Sequence, residues 1–302
     1  DGFPIIGYDY IVQPPAQPPV IGVKVAKCQN LACTQFSANS IDPDGLNPSI
    51  LINTANSLPL IFYYQKSTRD LVVRQCTNSA CSSLANPVAL DPKAIPGGNV
   101  SPSRTISAAM GYDGNPVVVY YHNCVGLQCP GGATTNDLHF VKCTAPDCST
   151  FLAPRTIGPT AGVSGVNNAM TVGIDGLPII TMTSGIPDSV IIKCTSSDCA
   201  SVVQSTTSSL GGWQSIAIAP DGNPIAIHNE SDDLRVVKCL DISCLTYVSA
   251  MPIVGDVESL GGVSLGIGVD GLPIIGYKSD STSEVAILKC GSGHCLNWWT
   301  RR

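Results

Sequence analysis

One phrase recurs along this chain, and a recurrence of its length leaves few folds open. Asp-Gly-x-Pro followed by apolar residues begins at Asp1, Asp113, Asp175, Asp221 and Asp270, and a weaker copy, Asn-Ser-Leu-Pro, begins at Asn56. The six copies stand 46 to 62 residues apart. Repeats of this period are units that cannot bury their apolar faces alone and must stack on one another.

Each unit reads as four strands. Ahead of the Asp, small residues two positions apart (Ser107/Ala109, Ala169/Thr171, Ser215/Ala217, Ser264/Gly266) are interleaved with bulkier ones such as Met110, Val172, Ile218 and Ile267. A period of two is a strand, and a face of small side chains invites close approach by its neighbours. Asp-Gly predicts a tight reversal. Pro4, Pro59, Pro116, Pro178, Pro224 and Pro273 then open a second strand, where a missing N–H is tolerated. That strand is continuously apolar, as in Val117-Val118-Val119, so both of its faces should be covered. A variable polar loop leads to a third strand, "VKVAKC" in the first unit and "VAILKC" in the last. A fourth, more polar strand follows the next cysteine.

The expected fold is therefore all-β: a six-bladed β-propeller of four-stranded antiparallel blades, with the small-residue strand innermost. One domain would cover residues 1–302, in units 1–47, 48–103, 104–165, 166–211, 212–261 and 262–302. An open solenoid would not need a four-strand meander per turn. Asp1 already stands at a turn, so the first blade should lack its inner strand. The matching ends are then the same strand of the first and last blades, side by side in the ring. An unpaired apolar edge there would invite a strand from another chain.

Fourteen cysteines fall into seven C-x4-C pairs: Cys28/Cys33, Cys76/Cys81, Cys124/Cys129, Cys143/Cys148, Cys194/Cys199, Cys239/Cys244 and Cys290/Cys295. A structural zinc takes four ligands, whereas the hairpin pairs stand one per repeat, with a second pair only in the third unit, and the chain has only four histidines. Disulfides are the expectation, with no metal and no cofactor. They place the protein outside a reducing cytosol, extracellular or at a cell surface.

The tandem D-G-x-P-x-I-x-Y … L-x-V-x-K-C-x4-C units resemble repeats of secreted, largely uncharacterised bacterial and environmental proteins, over nearly the whole chain. The resemblance implies a propeller-like extracellular protein. It brings no catalytic residues with it.

A net charge of −6 argues against a nucleic-acid partner. No apolar run approaches the roughly 18 residues that span a membrane, so no membrane insertion is expected. No signal-peptide pattern is read in these residues, so any targeting segment is expected to have been removed or to lie outside them. "GVSLG" (Gly262–Gly266) fits G-x-S-x-G, but that motif works only on a strand-to-helix turn and this copy lies in an inner strand. His122, His139, His228 and His294 fall in different repeat columns, which yields no symmetric metal or proton-relay set. His228 takes the column of Tyr8, Tyr63, Tyr120 and Tyr277, a packing position. Trp213 stands apart, and Trp298 and Trp299 are an aromatic contact for a ligand or an apolar cap on the last blade. Asn99 and Asn229 stand in Asn-x-Ser sequons, whose glycosylation the sequence leaves open.

In a meander the first and third turns share one end of the blade. Here that end carries the uniform Asp-Gly turns and cysteine hairpins. Five units pair the turn Asp with a Lys before the first cysteine (Lys27, Lys142, Lys193, Lys238, Lys289), while the second unit has Asn56 and Gln75. An Asp–Lys ion pair is expected in each charged blade. The opposite end carries the variable loops, where recognition usually evolves. The longest, in the third unit, offers Asn123, Val125, Gln128, Asn136 and Asp137, stapled by Cys124/Cys129.

The expected function is an extracellular or cell-surface propeller without enzymatic activity. Its role would be structural or adhesive, through self-association into filaments or contact with another surface protein or glycan. The alternative is a carbohydrate- or protein-binding module of a larger surface protein. A hydrolase with an axial site has only fold analogy behind it.

Overall fold

The structure is a computed structural model. It describes residues 2–14, 19–92, 94, 105–124, 135–157, 167–183, 189–207, 212, 214–230, 232–248, 252–258, 262–295 and 298–301. These residues form strands and turns, with no helix among them. They build the six antiparallel blades of a β-propeller, the first of three strands.

The chain divides into two compact units, Asp1–Thr156 and Ile157–Arg302. In the first, blade 1 consists of β1 (Ile5–Val12), β2 (Val20–Cys28) and β3 (Phe36–Asp42). Blade 2 consists of β4 (Gly45–Ile52), β5 (Pro59–Gln65), β6 (Leu71–Gln75) and β7 (Val88–Asp91). Blade 3 consists of β8 (Ile106–Met110), β9 (Pro116–Cys124), β10 (Thr135–Lys142) and β11 (Arg155–Ile157).

In the second unit, blade 4 consists of β12 (Asn168–Val172), β13 (Pro178–Thr183), β14 (Ser189–Cys194) and β15 (Val202–Thr207). Blade 5 runs through β16 (Gln214–Ile218), β17 (Pro224–Glu230) and β18 (Asp233–Cys239). Its outer edge is shared by β19 (Tyr247–Val248) and β20 (Pro252–Val254), both paired with β18. Blade 6 consists of β21 (Ser264–Ile267), β22 (Pro273–Lys278), β23 (Val285–Cys290) and β24 (Trp298–Arg301).

The second strands are covered on both faces, as their apolar runs require. On β5, Leu60, Phe62 and Tyr64 pack toward blade 3 with Val118 and Tyr120. Ile61 and Tyr63 point the other way, against Val23, Val25 and Ile41 of blade 1. All five β5 residues from Leu60 to Tyr64 are fully buried. Successive side chains of one strand thus serve two seams.

The Asp-Gly reversal is longer than a two-residue hairpin. Met110 faces Pro116 in register, leaving a five-residue turn, 111–115. The Asp side chain caps it: Asp113 Oδ1 accepts the Asn115 N–H at 3.2 Å, and Asp175, Asp221 and Asp270 do the same two residues on. The Gly after each Asp has φ between 75° and 81°, the left-handed region that glycine enters without cost to a Cβ.

That end of the blades also carries the ion pairs. Lys142 lies 2.7 Å from Asp113, Lys193 2.7 Å from Asp175, Lys238 2.8 Å from Asp221 and Lys289 2.6 Å from Asp270. In blade 1 Lys27 Nζ donates to the Phe3 carbonyl at 2.6 Å, and Asp1 lies outside the described residues. Blade 2 shows why both charges are absent together. Asn56 still caps its turn, accepting the Leu58 N–H at 3.0 Å, so an amide preserves the turn once Gln75 has removed the cation.

Six disulfides close the C-x4-C hairpins: Cys28–Cys33, Cys76–Cys81, Cys143–Cys148, Cys194–Cys199, Cys239–Cys244 and Cys290–Cys295. The Cys124/Cys129 pair falls outside the described residues. Apart from the half-buried Cys33, the described bridge cysteines are buried rather than peripheral; Cys143 and Cys148, for example, sit within the apolar cluster of blades 2 and 3. No helix among the described residues is long and apolar enough to cross a membrane.

Candidate functional site at the seam of blades 2 and 3

The period of β9 sets the site. Val118, Tyr120 and His122 share its face toward blade 2. Register with β10 places His139 opposite Tyr120 and Asp137 opposite His122, so these side chains join the same face. From blade 2, β7 delivers Asp91 at its last residue. Asp91, Tyr120, His122 and His139 meet at the end of the blades where the loops vary.

The Tyr120 hydroxyl donates to Asp91 Oδ2 at 2.6 Å. His139 Nδ1 lies 3.7 Å from the same oxygen, and Thr156 Oγ1 lies 3.1 Å from His139 Nε2. The rings of His122 and His139 stack in parallel, with centroids 4.0 Å apart. One ligand atom each from Asp91, His122 and His139 lies within 4.8 Å of the others. The Nδ1 atoms of both histidines are buried with no hydrogen-bond partner.

Burial, and after it the neighbouring His139, pushes the His122 pKa down to about 4, against the pull of Asp91 and Asp137. His122 is therefore neutral at neutral pH. Burial and then Asp91 push the Tyr120 phenol well above its ordinary value, so it remains a donor. The site offers a carboxylate, a phenolic O–H and imidazole nitrogens. These groups can hydrogen-bond a polar ligand, and they include the His and carboxylate donors of transition-metal sites.

Two other seams carry the same carboxylate in a closed form. Between blades 1 and 2, Asp42 accepts the Tyr63 hydroxyl at 3.0 Å, Gln65 Nε2 at 3.2 Å and the Asp44 N–H at 2.8 Å. Between blades 5 and 6, Asp256 accepts the hydroxyls of Ser279 at 2.8 Å and Ser281 at 2.9 Å, and the Ser281 N–H at 2.9 Å. Gln65, His122 and Ser279 occupy one repeat column, six residues past the proline. Gln and Ser close their seams with donated hydrogen bonds; His122 does not.

Reading the histidines by column missed this site. His139 belongs to the third strand and is brought beside His122 only by the register of β10 on β9. Asp91 comes from the preceding blade. His228 is fully buried on β17, in keeping with a packing position, and His294 is exposed in the last cysteine hairpin. Ser264 opens a strand, and its column serves the scaffold: Ser49 and Ser215 accept the N–H groups of Ala108 and Leu265 from the next blade's first strand, each at 3.1 Å.

Of the candidate loop, Asp137 is half-buried beside the site. Asn123, Cys124 and Asn136 lie on the strand ends, their side chains outside the description, and Val125, Gln128 and Cys129 fall outside the described residues. Trp298 and Trp299 lie on β24, opposite Cys290 and Lys289. Their side chains, and Trp213 and Asn99 altogether, fall outside the description, while Asn229 is 1% exposed.

Comparison with solved structures identifies the same architecture. The chain aligns to the fungal fucose-recognising lectin of Aleuria aurantia, a six-bladed β-propeller, with a TM-score of 0.60 and 9% identity, covering 99% of this chain and 95% of the lectin. The fold is shared. The sequence is not. A Bacteroides caccae protein of unknown function aligns with a TM-score of 0.54 and 11% identity over 92% of this chain and 90% of that one. The NanB sialidase of Streptococcus pneumoniae aligns with a TM-score of 0.57 and 7% identity over 86% of this chain and 60% of the sialidase. No family model matches the sequence, and no curated protein matches it.

Proposed function

We propose that this is an extracellular, non-catalytic recognition propeller that binds a glycan at the seam of blades 2 and 3. The observation that carries the reading is the departure of this seam from its two counterparts. There a carboxylate is satisfied within the protein; here Asp91 and Tyr120 meet the Nδ1 atoms of His122 and His139, neither of which has a hydrogen-bond partner. Asp91 and His139 keep 14% and 15% of their side chains open to solvent. A sugar hydroxyl both donates and accepts, which is the capability this mixture of groups recognises. Disulfides throughout the scaffold fit an oxidising, extracellular setting.

The lectin with the same fold supports a glycan as the ligand class, and the sialidase keeps a catalytic reading within view. Binding is favoured because the recurring carboxylates of the turns are engaged in structure, in caps and ion pairs. The test is a glycan array probed with oxidised protein, followed by Asp91→Asn and His139→Gln. Selective binding weakened at least tenfold by both substitutions is expected. Absence of glycan binding, binding unchanged by either substitution, or turnover of a bound glycan would overturn the proposal.

Self-association into filaments is a second reading, with one observation behind it. The edge strand β1 pairs with β2 among the described strands, and Ile6, Ile11 and Val12 are exposed along it. Light scattering that reports only monomers across a concentration series would remove it.

A further inference from the structure

We propose that Asp91, His122 and His139 form a binding site for a single zinc-class divalent cation. The donor set is two imidazoles and a carboxylate, the ligand types that hold Zn2+ with a fourth position left open. The inference does not rest on glycan recognition, because every ligand belongs to the protein.

The geometry around His139 carries the assignment. Thr156 Oγ1 lies 3.1 Å from His139 Nε2. With the proton on Nε2, His139 donates to the Thr156 hydroxyl, and the lone pair of Nδ1 is directed to the Asp91 side. A metal-bound histidine usually has such a partner on its other nitrogen. His139 Nδ1 and Asp91 Oδ2 are 3.7 Å apart, too far for a hydrogen bond. Two ligand atoms on a tetrahedral zinc, each about 2.0–2.2 Å from the ion, stand roughly 3.3 Å apart. The pair therefore needs to close by only a few tenths of an ångström.

His122 supplies the third ligand. Its Nδ1 is also buried without a hydrogen-bond partner, and the whole set lies within 4.8 Å. The ion must lie in the plane of each imidazole, whereas the two rings are now parallel at 4.0 Å. Binding therefore turns one ring out of the stack. His122 is the ring to move, since it stands near the end of β9 and has no hydrogen bond holding its Nδ1, while His139 is held by Thr156. Tyr120 meanwhile orients the carboxylate through its 2.6 Å hydrogen bond.

The experiment uses the full oxidised chain, stripped with chelator and titrated with zinc chloride without glycan. Isothermal titration should show one equivalent bound at micromolar or tighter affinity, and metal analysis after dialysis should retain it. The His122→Gln variant places in this column the amide that the blade 1–2 seam already accommodates, so it tests the site with the fold preserved. It should weaken binding at least tenfold and abolish the zinc-dependent rise in melting temperature, as His139→Gln should. If the cluster is merely bridged by water, the wild-type protein retains no zinc after dialysis, and the inference fails. Undiminished binding in a His122→Gln/His139→Gln double variant also overturns it, by placing the ion elsewhere, as at the exposed His294. Glycan binding is read separately on the array, so the failure of one reading is distinguishable from failure of the other.

Discussion

The carboxylate of Asp221 caps a turn and neutralises a cation at once. Its Oδ1 accepts the Asn223 N–H at 3.0 Å and Lys238 Nζ at 2.8 Å. The Lys238 side chain is 3% exposed and Asp221 is 51% exposed, so these are not the freely solvated pairs that contribute little. Asp221→Asn would leave a buried ammonium with the Asn223 carbonyl, at 3.2 Å, among its remaining acceptors. Discounted for the exposure of the carboxylate, the expected loss is about 1–2 kcal/mol in urea unfolding at pH 7. Asp270→Asn should cost less, because Lys289 is far more open to water. Burial works to raise the Asp221 pKa, but hydrogen bonds from Lys238 and Asn223 hold it below its ordinary value. Its stabilisation is therefore present above the unfolded pKa of about 3.9 and is lost as pH falls through the lower folded value. The gap between wild type and Asp221→Asn should stay constant from pH 5 to 8 and close below roughly pH 4. A gap that persists at pH 2 would contradict this account.

The turns as elements show what a degenerate repeat costs. Five of the six repeats put glycine in the left-handed region; in blade 2, Ser57 holds φ of 59°. A Cβ there costs roughly 1–2 kcal/mol, of which the greater unfolded-state freedom of glycine returns about 0.5–1 kcal/mol. Ser57→Gly is therefore expected to stabilise the protein by about 0.5–1 kcal/mol, seen as a raised melting temperature. Ser57 is exposed, so lost packing should not obscure the result. A lowered melting temperature would mean that the serine side chain contributes more than the backbone saves.

At the scale of the whole molecule the disulfides are large beside the net stability. Each closes a short loop and so contributes about 2 kcal/mol by constraining the unfolded chain. The six described bridges together reach roughly 12 kcal/mol on that estimate, comparable with the whole net stability of a typical domain, about 5–15 kcal/mol. Most of these cysteines are also buried, as Cys76 and Cys81 are between blades 1 and 2. Full reduction is thus expected to unfold the protein at 25 °C, with loss of its β-sheet circular dichroism. Retention of that signal under denaturant-free reduction would show that apolar packing alone holds the blades.

Much of this was legible in one dimension. Apolar period, turn residues and cysteine spacing act within one repeat, so six copies state the same local physics and reveal the strands, the blade count and the bridge partners. The Asp–Lys pairs were legible for the same reason, since the second repeat replaces both residues together. Their burial was not, because exposure is set by packing in three dimensions rather than by the repeat pattern. The seam cluster left no such signal. Asp91 closes one blade, and His122 and His139 sit on two strands of the next, 17 residues apart in the chain. Comparing columns treats each repeat as independent, whereas this site exists only where two different repeats are pressed together. Only the packing of blade 2 against blade 3 brings the carboxylate to the imidazoles, and only side-by-side seams show that Gln65 and Ser279 close what His122 leaves open.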